Sequence, residues 1–188
     1  HLDLALPQGL VVLHGDNGQG KSNLLEAIYL LAIAKSYRAL SEKELVSWET
    51  AREGGSLLAC GVVQTADRHL DLRFGLDCSF EPGTNNPLIK KKILVNGIPR
   101  RSLDLVGLLS AVLFSANDID LVYGSPQNRR RYLDVLLSQL GGSYLQRLQR
   151  YNRVLAQRNH LLRSIREGHA ADTELVFWDQ ALCLEGSM

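Results

Sequence analysis

Eight consecutive residues carry the types and spacing of a phosphate-binding loop. They are Gly15, Asp16, Asn17, Gly18, Gln19, Gly20, Lys21 and Ser22, the pattern G-x-x-x-x-G-K-S. In such a loop the glycines allow positive φ angles, so that successive backbone N–H groups turn inward and form a nest for an anion. The lysine reaches the β- and γ-phosphates, and the serine hydroxyl coordinates Mg²⁺. The pattern therefore predicts binding of a nucleoside triphosphate with Mg²⁺.

The segments on either side of the loop support this interpretation. Residues 10–13 are an apolar run that is predicted to form a buried strand, paired in a hairpin with residues 2–6. A helix is predicted over residues 21–34, where apolar side chains recur at helical spacing. Strand, glycine-rich turn and helix is the order that the motif requires. With Asn23, the first residue after the motif, the candidate nucleotide-binding set is residues 15–23.

Composition places the chain in an ordinary class. It has 188 residues, of which 45% are hydrophobic and 22% are charged, which is typical of a soluble globular protein. No apolar run approaches the ~20 residues that span a membrane, and no signal peptide is visible. The cysteines, Cys60, Cys78 and Cys183, are widely spaced and odd in number, which favours a reducing, cytoplasmic compartment.

The net charge of +1 predicts no nucleic-acid partner, but the distribution of charge is uneven. Basic residues cluster at 90–92, at 129–131 and along 147–166. Local basic faces can bind phosphate backbones, and solvated helix faces explain such clusters equally well. At helical spacing the side chains of Arg129, Arg130 and Arg131 fan over about 200°, so they cannot all face one partner.

Several shorter elements follow from local patterns. The predictions are a short helix over 41–49 with Ser41 as N-cap and Glu44 completing a capping box, an antiparallel hairpin of 56–65 and 69–78, a loop over 81–89, a tight turn at Asn96-Gly97, a helix near 102–109, and a buried strand over 111–114.

The pattern changes after Pro126. Between residues 128 and 167 a long helix is predicted, in which leucines recur every seven residues at 148, 155 and 162. Arg158 interrupts the complementary row of apolar positions. Gly168 is a predicted stop, and residues 173–184 are a predicted returning helix. The seam predicts a coiled-coil arm, and an amphipathic helix on a compact core remains the alternative.

A P-loop ATPase also needs an acidic residue at the end of an apolar strand to hold Mg²⁺. Asp118 follows residues 111–114 only after an interval, and Asp179 follows an apolar run directly but continues into a sequence of helical character. Neither position is a strong match, so the sequence predicts no catalytic residue.

Taken together, several segments resemble the RecF family of recombination mediators, which are SMC-like members of the ABC-type ATPases. The segments are residues 15–27 (GDNGQGKSNLLEA), 35–38 (KSYR), 112–114 (VLF), 118–126 (DIDLVYGSP), 129–134 (RRRYLD), 155–162 (LAQRNHLL) and 178–179 (WD). Order and spacing agree from about residue 2 to the end. The blocks G-S-P-x-x-R-R-R-Y-L-D and Q-R-N-x-L-L are more specific than the P-loop alone.

The resemblance implies an α/β fold of the P-loop NTPase class, with an ABC/SMC-like head lobe I and a helical coiled-coil arm. Residues 1–126 would be the ATPase head lobe I, a mixed sheet with an antiparallel β subdomain. Residues 127–188 would be the arm, an antiparallel coiled coil at the start of lobe II that is truncated here. The chain would then be an N-terminal fragment.

The resemblance also implies a function. The family binds ATP and Mg²⁺, dimerises with ATP, binds gapped DNA at junctions of double and single strands, and supports RecA loading together with RecO and RecR. It acts in DNA repair, replication and the SOS response, in the bacterial cytoplasm at the nucleoid. The candidate DNA-binding residues are Arg38, Arg129, Arg130 and Arg131. For Arg38, a contact with phosphate or DNA and a surface salt bridge are both open.

The sequence departs from the family pattern at residues 116–117, where Ala-Asn stands in place of Pro-Glu, and no glutamine occupies the Q-loop position. The signature motif and Walker B are absent from this sequence. The full-length protein would be a weak DNA-dependent ATPase, and this fragment would be inactive alone. The alternative is a self-contained P-loop phosphotransferase, a small-molecule kinase, with Asp179 as its Mg²⁺ ligand.

Overall fold

The computed structural model describes residues 2–47, 54–65, 67–80 and 87–187, and the chain separates into two compact units, 1–98 and 99–188. The functional division into a head over 1–126 and an arm over 127–188 stays a prediction.

Helix α1 spans Lys21–Ile33, so the predicted helix over 21–34 is confirmed within one residue. It ends because Ala34 adopts a left-handed conformation with φ 58°, while its N–H donates to the carbonyl of Leu30. A 3₁₀ turn, Glu42–Leu45, follows. The predicted helix over 41–49 is therefore too long, since Val46 is already extended and buried; residues 48 and 49 lie outside the described residues.

Four strands form one antiparallel sheet in the order β1-β2-β3-β4. They are β1 Gly55–Gln64, β2 His69–Phe80, β3 Pro87–Val95 and β4 Ile98–Pro99. The hairpin of β1 and β2 is confirmed, and so is the turn between β3 and β4. Asn96 and Gly97 both have positive φ there, 51° and 76°, as a tight two-residue hairpin turn requires. The predicted loop over 81–89 is wrong at its end, because β3 begins at Pro87; residues 81–86 lie outside the described residues.

The core of the first unit lies between α1 and one face of this sheet. Side chains of β2 alternate, so that Leu72, Phe74 and Leu76 are fully buried while Arg73 and Asp77 are exposed. Gly61 of β1 approaches α1 closely: a Cβ at this position would lie 2.8 Å from Leu31 Cδ1. The sheet therefore supports the helix that begins at the phosphate-binding loop.

Three predicted strands are absent from the structure. Residues 2–6, 10–13 and 111–114 are irregular, and Leu10 and Phe114 are 92% and 88% exposed. A strand requires neighbours for its backbone N–H and C=O groups, and no described strand pairs with these segments. At Ala111 the side chain of Gln139 takes that role, accepting from the N–H at 2.7 Å and donating to the carbonyl at 3.1 Å.

The second unit is helical. Its helices are α2 Ser102–Leu105, α3 Asp120–Tyr123, α4 Pro126–Leu140, α5 Gly142–Arg166 and α6 Leu175–Gly186, with 3₁₀ turns at Ala116–Ile119 and Asp172–Glu174. The predicted helix over 102–109 is shorter, because Val106 is extended and Gly107 has φ 92°. The predicted long helix over 128–167 is two helices, broken at Gly141.

Helices α5 and α6 pack side by side and run antiparallel. Arg158 contacts Asp179, and Tyr151 lies against Gly186, so that residue numbers rise on one helix as they fall on the other. The predicted stop is confirmed, since Gly168 has φ 76° and donates to the carbonyl of Ile165. The returning helix is also present. An extended coiled-coil arm stays a prediction.

Among the described residues, none of the helices combines the length and the apolar character needed to cross a membrane.

Candidate nucleotide-binding site

The phosphate-binding loop has the backbone that its glycines allow. Gly15, Gly18 and Gly20 have φ angles of 145°, 85° and 87°, which L side chains rarely adopt. A Cβ at any of these positions would meet no atom within 4 Å, so the requirement for glycine is conformational rather than steric. The loop therefore leaves open space where a ligand could approach the backbone.

Lys21 bridges this loop with its side chain. Its Nζ donates to the carbonyl oxygen of Gly15 at 2.7 Å and to that of Asp16 at 2.6 Å. An ammonium has three donors, so one remains available when two are used in this way. The arrangement holds a positive charge over the loop.

The N-terminus of α1 completes the cradle. Gly20 is the N-cap and has no side chain that could accept a hydrogen bond from the helix. The first turn of α1 contains no acidic residue. The first N–H groups of a helix lack partners within the helix, and the helix dipole is positive at this end. Ser22 and Asn23 are exposed at the same turn. Backbone donors, a cation and a hydroxyl thus converge, which is the chemistry of an anion site.

A polar cluster that the sequence did not predict lies against this first turn. The carboxylate of Glu26 accepts hydrogen bonds from the hydroxyl of Ser36 and from the guanidinium of Arg38. A signal was present in the sequence: Glu26 shares its helix face with Leu30 and Ile33, at i+4 and i+7, which are both buried. An acid on an apolar face needs a partner.

Arg38 therefore forms a salt bridge with Glu26, which was one of the two interpretations that the sequence left open. It also donates to Asn23 Oδ1 at 3.1 Å, and its guanidinium lies 5.3 Å from the centre of the Tyr37 ring. The hydrogen bond that Arg38 donates to the Glu26 carboxylate raises the pKa of Arg38 above its usual value, and burial opposes this shift. The side chain is still 40% exposed, so a further contact remains sterically possible.

The three consecutive arginines differ in their surroundings. Arg129 donates to the carbonyl oxygens of Gly124 at 3.1 Å and Leu121 at 3.4 Å, and so binds the turn before α4. Arg130 and Arg131 are exposed and have no hydrogen bond or ion pair with the described residues. Of the three arginines, Arg130 and Arg131 are therefore the two without such contacts among the described residues.

Neither candidate acid has the geometry of a strand-end Mg²⁺ ligand. Asp118 accepts a hydrogen bond from the backbone N–H of Ser115, which closes a local turn. Asp179 lies within α6, so the apolar run before it is helical rather than a strand, and its carboxylate accepts a hydrogen bond from Arg158 Nε at 2.5 Å. No group of three potential metal ligands occurs in the part of the chain that the structure describes.

Comparisons with known proteins agree with one another. The DNA replication and repair protein RecF of Herpetosiphon aurantiacus is 44% identical over an alignment of 198 positions, which covers 98% of this chain and 50% of that protein. RecF of Roseiflexus castenholzii is 43% identical over an alignment of 197 positions, which covers 99% of this chain and 50% of that protein. The chain spans about half the length of the curated relatives it matches. No family model matches it.

A solved structure shows the same likeness in three dimensions. The recombination mediator protein RecF-ATPrS in the RecFOR pathway matches with a TM-score of 0.77 and 33% identity. The match covers 92% of this chain and 44% of that one.

Proposed function

The chain belongs to the RecF family, and from that premise we propose that it is the ATP-binding part of a recombination mediator. The observation that carries the proposal is the position of Lys21 Nζ, held over the loop by the carbonyl oxygens of Gly15 and Asp16. Solved RecF structures that resemble this chain contain ATP or ATPrS. The nucleotide is therefore ATP, and residues 15–23 hold its phosphates.

Each part of the loop has a separate role in this proposal. Backbone N–H groups of residues 15–20 and of the first turn of α1 bind phosphate oxygens, and Lys21 turns its free donor towards the β- and γ-phosphates. Mg²⁺ favours oxygen ligands and keeps several waters. The exposed hydroxyl of Ser22 fits one such ligand, with phosphate oxygens and water supplying the others.

The decisive experiment measures Mg-ATP binding and turnover by the purified protein and by Lys21→Ala. Lys35→Ala, a change of an exposed lysine just beyond α1, is the matched control. We expect the Lys21 variant to lose binding, the Lys35 variant to retain it, and no variant to turn over ATP. Binding that does not depend on Lys21 would overturn the proposal. Sustained Lys21-dependent turnover would instead favour a self-contained phosphotransferase.

The same proposal includes DNA as a partner, with a preference for junctions of double and single strands. The proposed contacts to DNA phosphates are Arg130 and Arg131, because both are exposed and make no hydrogen bond or ion pair with the described residues. Replacing both by alanine should weaken binding to a gapped duplex and reduce its salt dependence. Arg129→Ala, which removes a hydrogen bond to the chain itself, is the contrasting variant. Unchanged affinity in the double variant would remove these residues from the DNA surface.

The partners of the whole protein belong to the proposal as well. ATP-dependent homodimerisation, cooperation with RecO and RecR, and loading of RecA in the bacterial cytoplasm would require the remaining half of the family's length. Sedimentation of the full-length protein with and without Mg-ATP tests the first of these, and a monomer under both conditions would contradict it.

A further inference from the structure

The segment that follows α1 is folded back onto that helix by one buried hydroxyl. Ser36 is only 7% exposed. Its Oγ donates to Glu26 and accepts from the N–H groups of Arg38 at 2.9 Å and Ala39 at 2.8 Å. Three hydrogen bonds thus fix the backbone at residue 38 relative to the helix.

Glu26 completes the connection from the other side. Its side chain is 12% exposed, and its two carboxylate oxygens are divided between Ser36 and Arg38. A carboxylate that accepts at both oxygens from fixed donors is itself immobilised. The backbone and the guanidinium of Arg38 are therefore both restrained, one by the hydroxyl and the other by the carboxylate.

The restraint leaves the guanidinium at the start of α1. Arg38 Nη2 lies 3.1 Å from Oδ1 of Asn23, the residue immediately after Ser22. A mobile arginine side chain loses rotamer entropy when it binds a ligand, and a side chain that is already held loses less of it. A cation close to the phosphates also attracts a triphosphate more strongly than a diphosphate, because the triphosphate carries more negative charge.

We propose that Glu26 and Ser36 are positioning residues that hold Arg38 beside the first turn of α1, where it strengthens binding of a triphosphate over a diphosphate. This inference rests on the proposed function and extends it. The effect of Glu26 is transmitted through Arg38. Glu26 acts by placing the cation, although its own negative charge opposes phosphate. Removing that charge should therefore weaken binding, which is opposite to the effect of charge alone.

The test measures dissociation constants for Mg-ATP and Mg-ADP with Glu26→Gln, Arg38→Met and the double variant. We expect Arg38→Met to weaken binding of Mg-ATP about tenfold and binding of Mg-ADP by less than half that factor. We expect Glu26→Gln to weaken binding of Mg-ATP about fivefold. Both effects are on the scale of one positioned charge. The double variant should bind like Arg38→Met, because residues that act through one another are not additive. Additive effects, or tighter binding by Glu26→Gln, would overturn the inference.

Further variants separate position from folding. Arg38→Lys keeps the charge but not the planar fork, and it should fall between the wild type and Arg38→Met. Asp71→Asn and Arg73→Met break an exposed ion pair of the same kind on β2 and should leave both constants unchanged. Ser36→Ala should weaken Mg-ATP in the same direction as Glu26→Gln. Thermal unfolding of each variant confirms that it is folded.

The two levels of the proposal fail differently. If the wild type and Lys21→Ala bind Mg-ATP equally, the proposed function is wrong. If binding depends on Lys21 while Arg38→Met and Glu26→Gln bind both nucleotides as the wild type does, only the positioning inference is wrong.

Discussion

Lys91 Nζ donates a hydrogen bond to the carbonyl oxygen of Ala34 at 3.3 Å, and so joins the middle of strand β3 to the end of helix α1. The same ammonium pairs with the carboxylate of Glu42 and lies 5.8 Å from the centre of the Phe74 ring. The last carbonyls of a helix carry partial negative charge, which favours a cation there. The helix of the phosphate-binding loop is thus anchored to the sheet at its far end.

Replacing Lys91 by methionine tests this anchor. The change keeps most of the side-chain stem but removes the charge, and we expect the free energy of unfolding to fall by about 1 kcal/mol. Lys90 and Lys92 alternate to the opposite, exposed side of the strand. Lys90→Met and Lys92→Met should therefore change stability by less than about 0.5 kcal/mol. Urea unfolding followed by circular dichroism makes the comparison, and equal losses in all three variants would refute the anchor.

We expect a side chain at Gly124 to lower the stability of the protein. Its φ is −80°, which any residue can adopt, but a Cβ would lie 2.3 Å from the carbonyl oxygen of Asp120. Gly124→Ala should force a backbone shift in the turn that Arg129 also binds, and lower the free energy of unfolding by about 1–3 kcal/mol. Gly142→Ala is the matched control, because a Cβ there meets no atom within 4 Å. A stability loss of the same size at both positions would contradict this explanation.

Tyr144 links α5 to α4 in a way that depends on pH. Its hydroxyl donates to Asp134 Oδ1 at 2.7 Å, and this bond, with some burial, raises the pKa of Tyr144 from 10.0 to about 12. The folded state thus favours the protonated hydroxyl. Its contribution is present in full below the unfolded pKa of about 10 and disappears as the pH rises through the folded pKa of about 12.

Tyr144→Phe should accordingly lower the free energy of unfolding by about 1 kcal/mol at pH 8. The difference from the wild type should shrink between pH 10 and pH 12. Tyr132→Phe, on an exposed part of α4, provides the control and should show a small difference throughout. A deficit in Tyr144→Phe that stays constant up to pH 12 would show that the hydroxyl is not responsible.

Features that depend on local chemistry could be predicted from the sequence. The turn at Asn96-Gly97 and the stop at Gly168 both follow from residues that adopt positive φ at little cost, and both are present. The strand over residues 10–13 could not be predicted in this way, since a strand depends on partners elsewhere in the chain. Apolar character alone did not make it a strand.

The candidate site also has one part that could be predicted from the sequence and one part that could not. The loop and Lys21 are contiguous, so their spacing in the sequence is enough to find them. Glu26, Ser36 and Arg38 meet only because the chain reverses at Ala34, whose φ of 58° is an uncommon conformation for a residue with a side chain. No spacing rule connects positions ten and twelve apart across such a reversal.

Arg158 is the charged residue that interrupts the apolar row of α5, and the structure gives it a partner on α6. Its Nε lies 2.5 Å from Asp179 Oδ1, with side chains 28% and 50% exposed respectively. A pair with this much solvent contact contributes about 0–1 kcal/mol, whereas the apolar stem of an arginine packs like any other buried chain. We therefore expect packing to matter more than charge at this position.

Two substitutions of Arg158 distinguish packing from charge. Arg158→Leu fills the seam without the charge and should keep the free energy of unfolding within about 0.5 kcal/mol of the wild type, whereas Arg158→Ala should lower it by about 1 kcal/mol. Asp179→Asn should have little effect in 0.5 M salt, where the ion pair is screened. If Arg158→Leu and Arg158→Ala lose stability equally, the contact between the two helices is stabilised by the ion pair and not by packing of the arginine side chain.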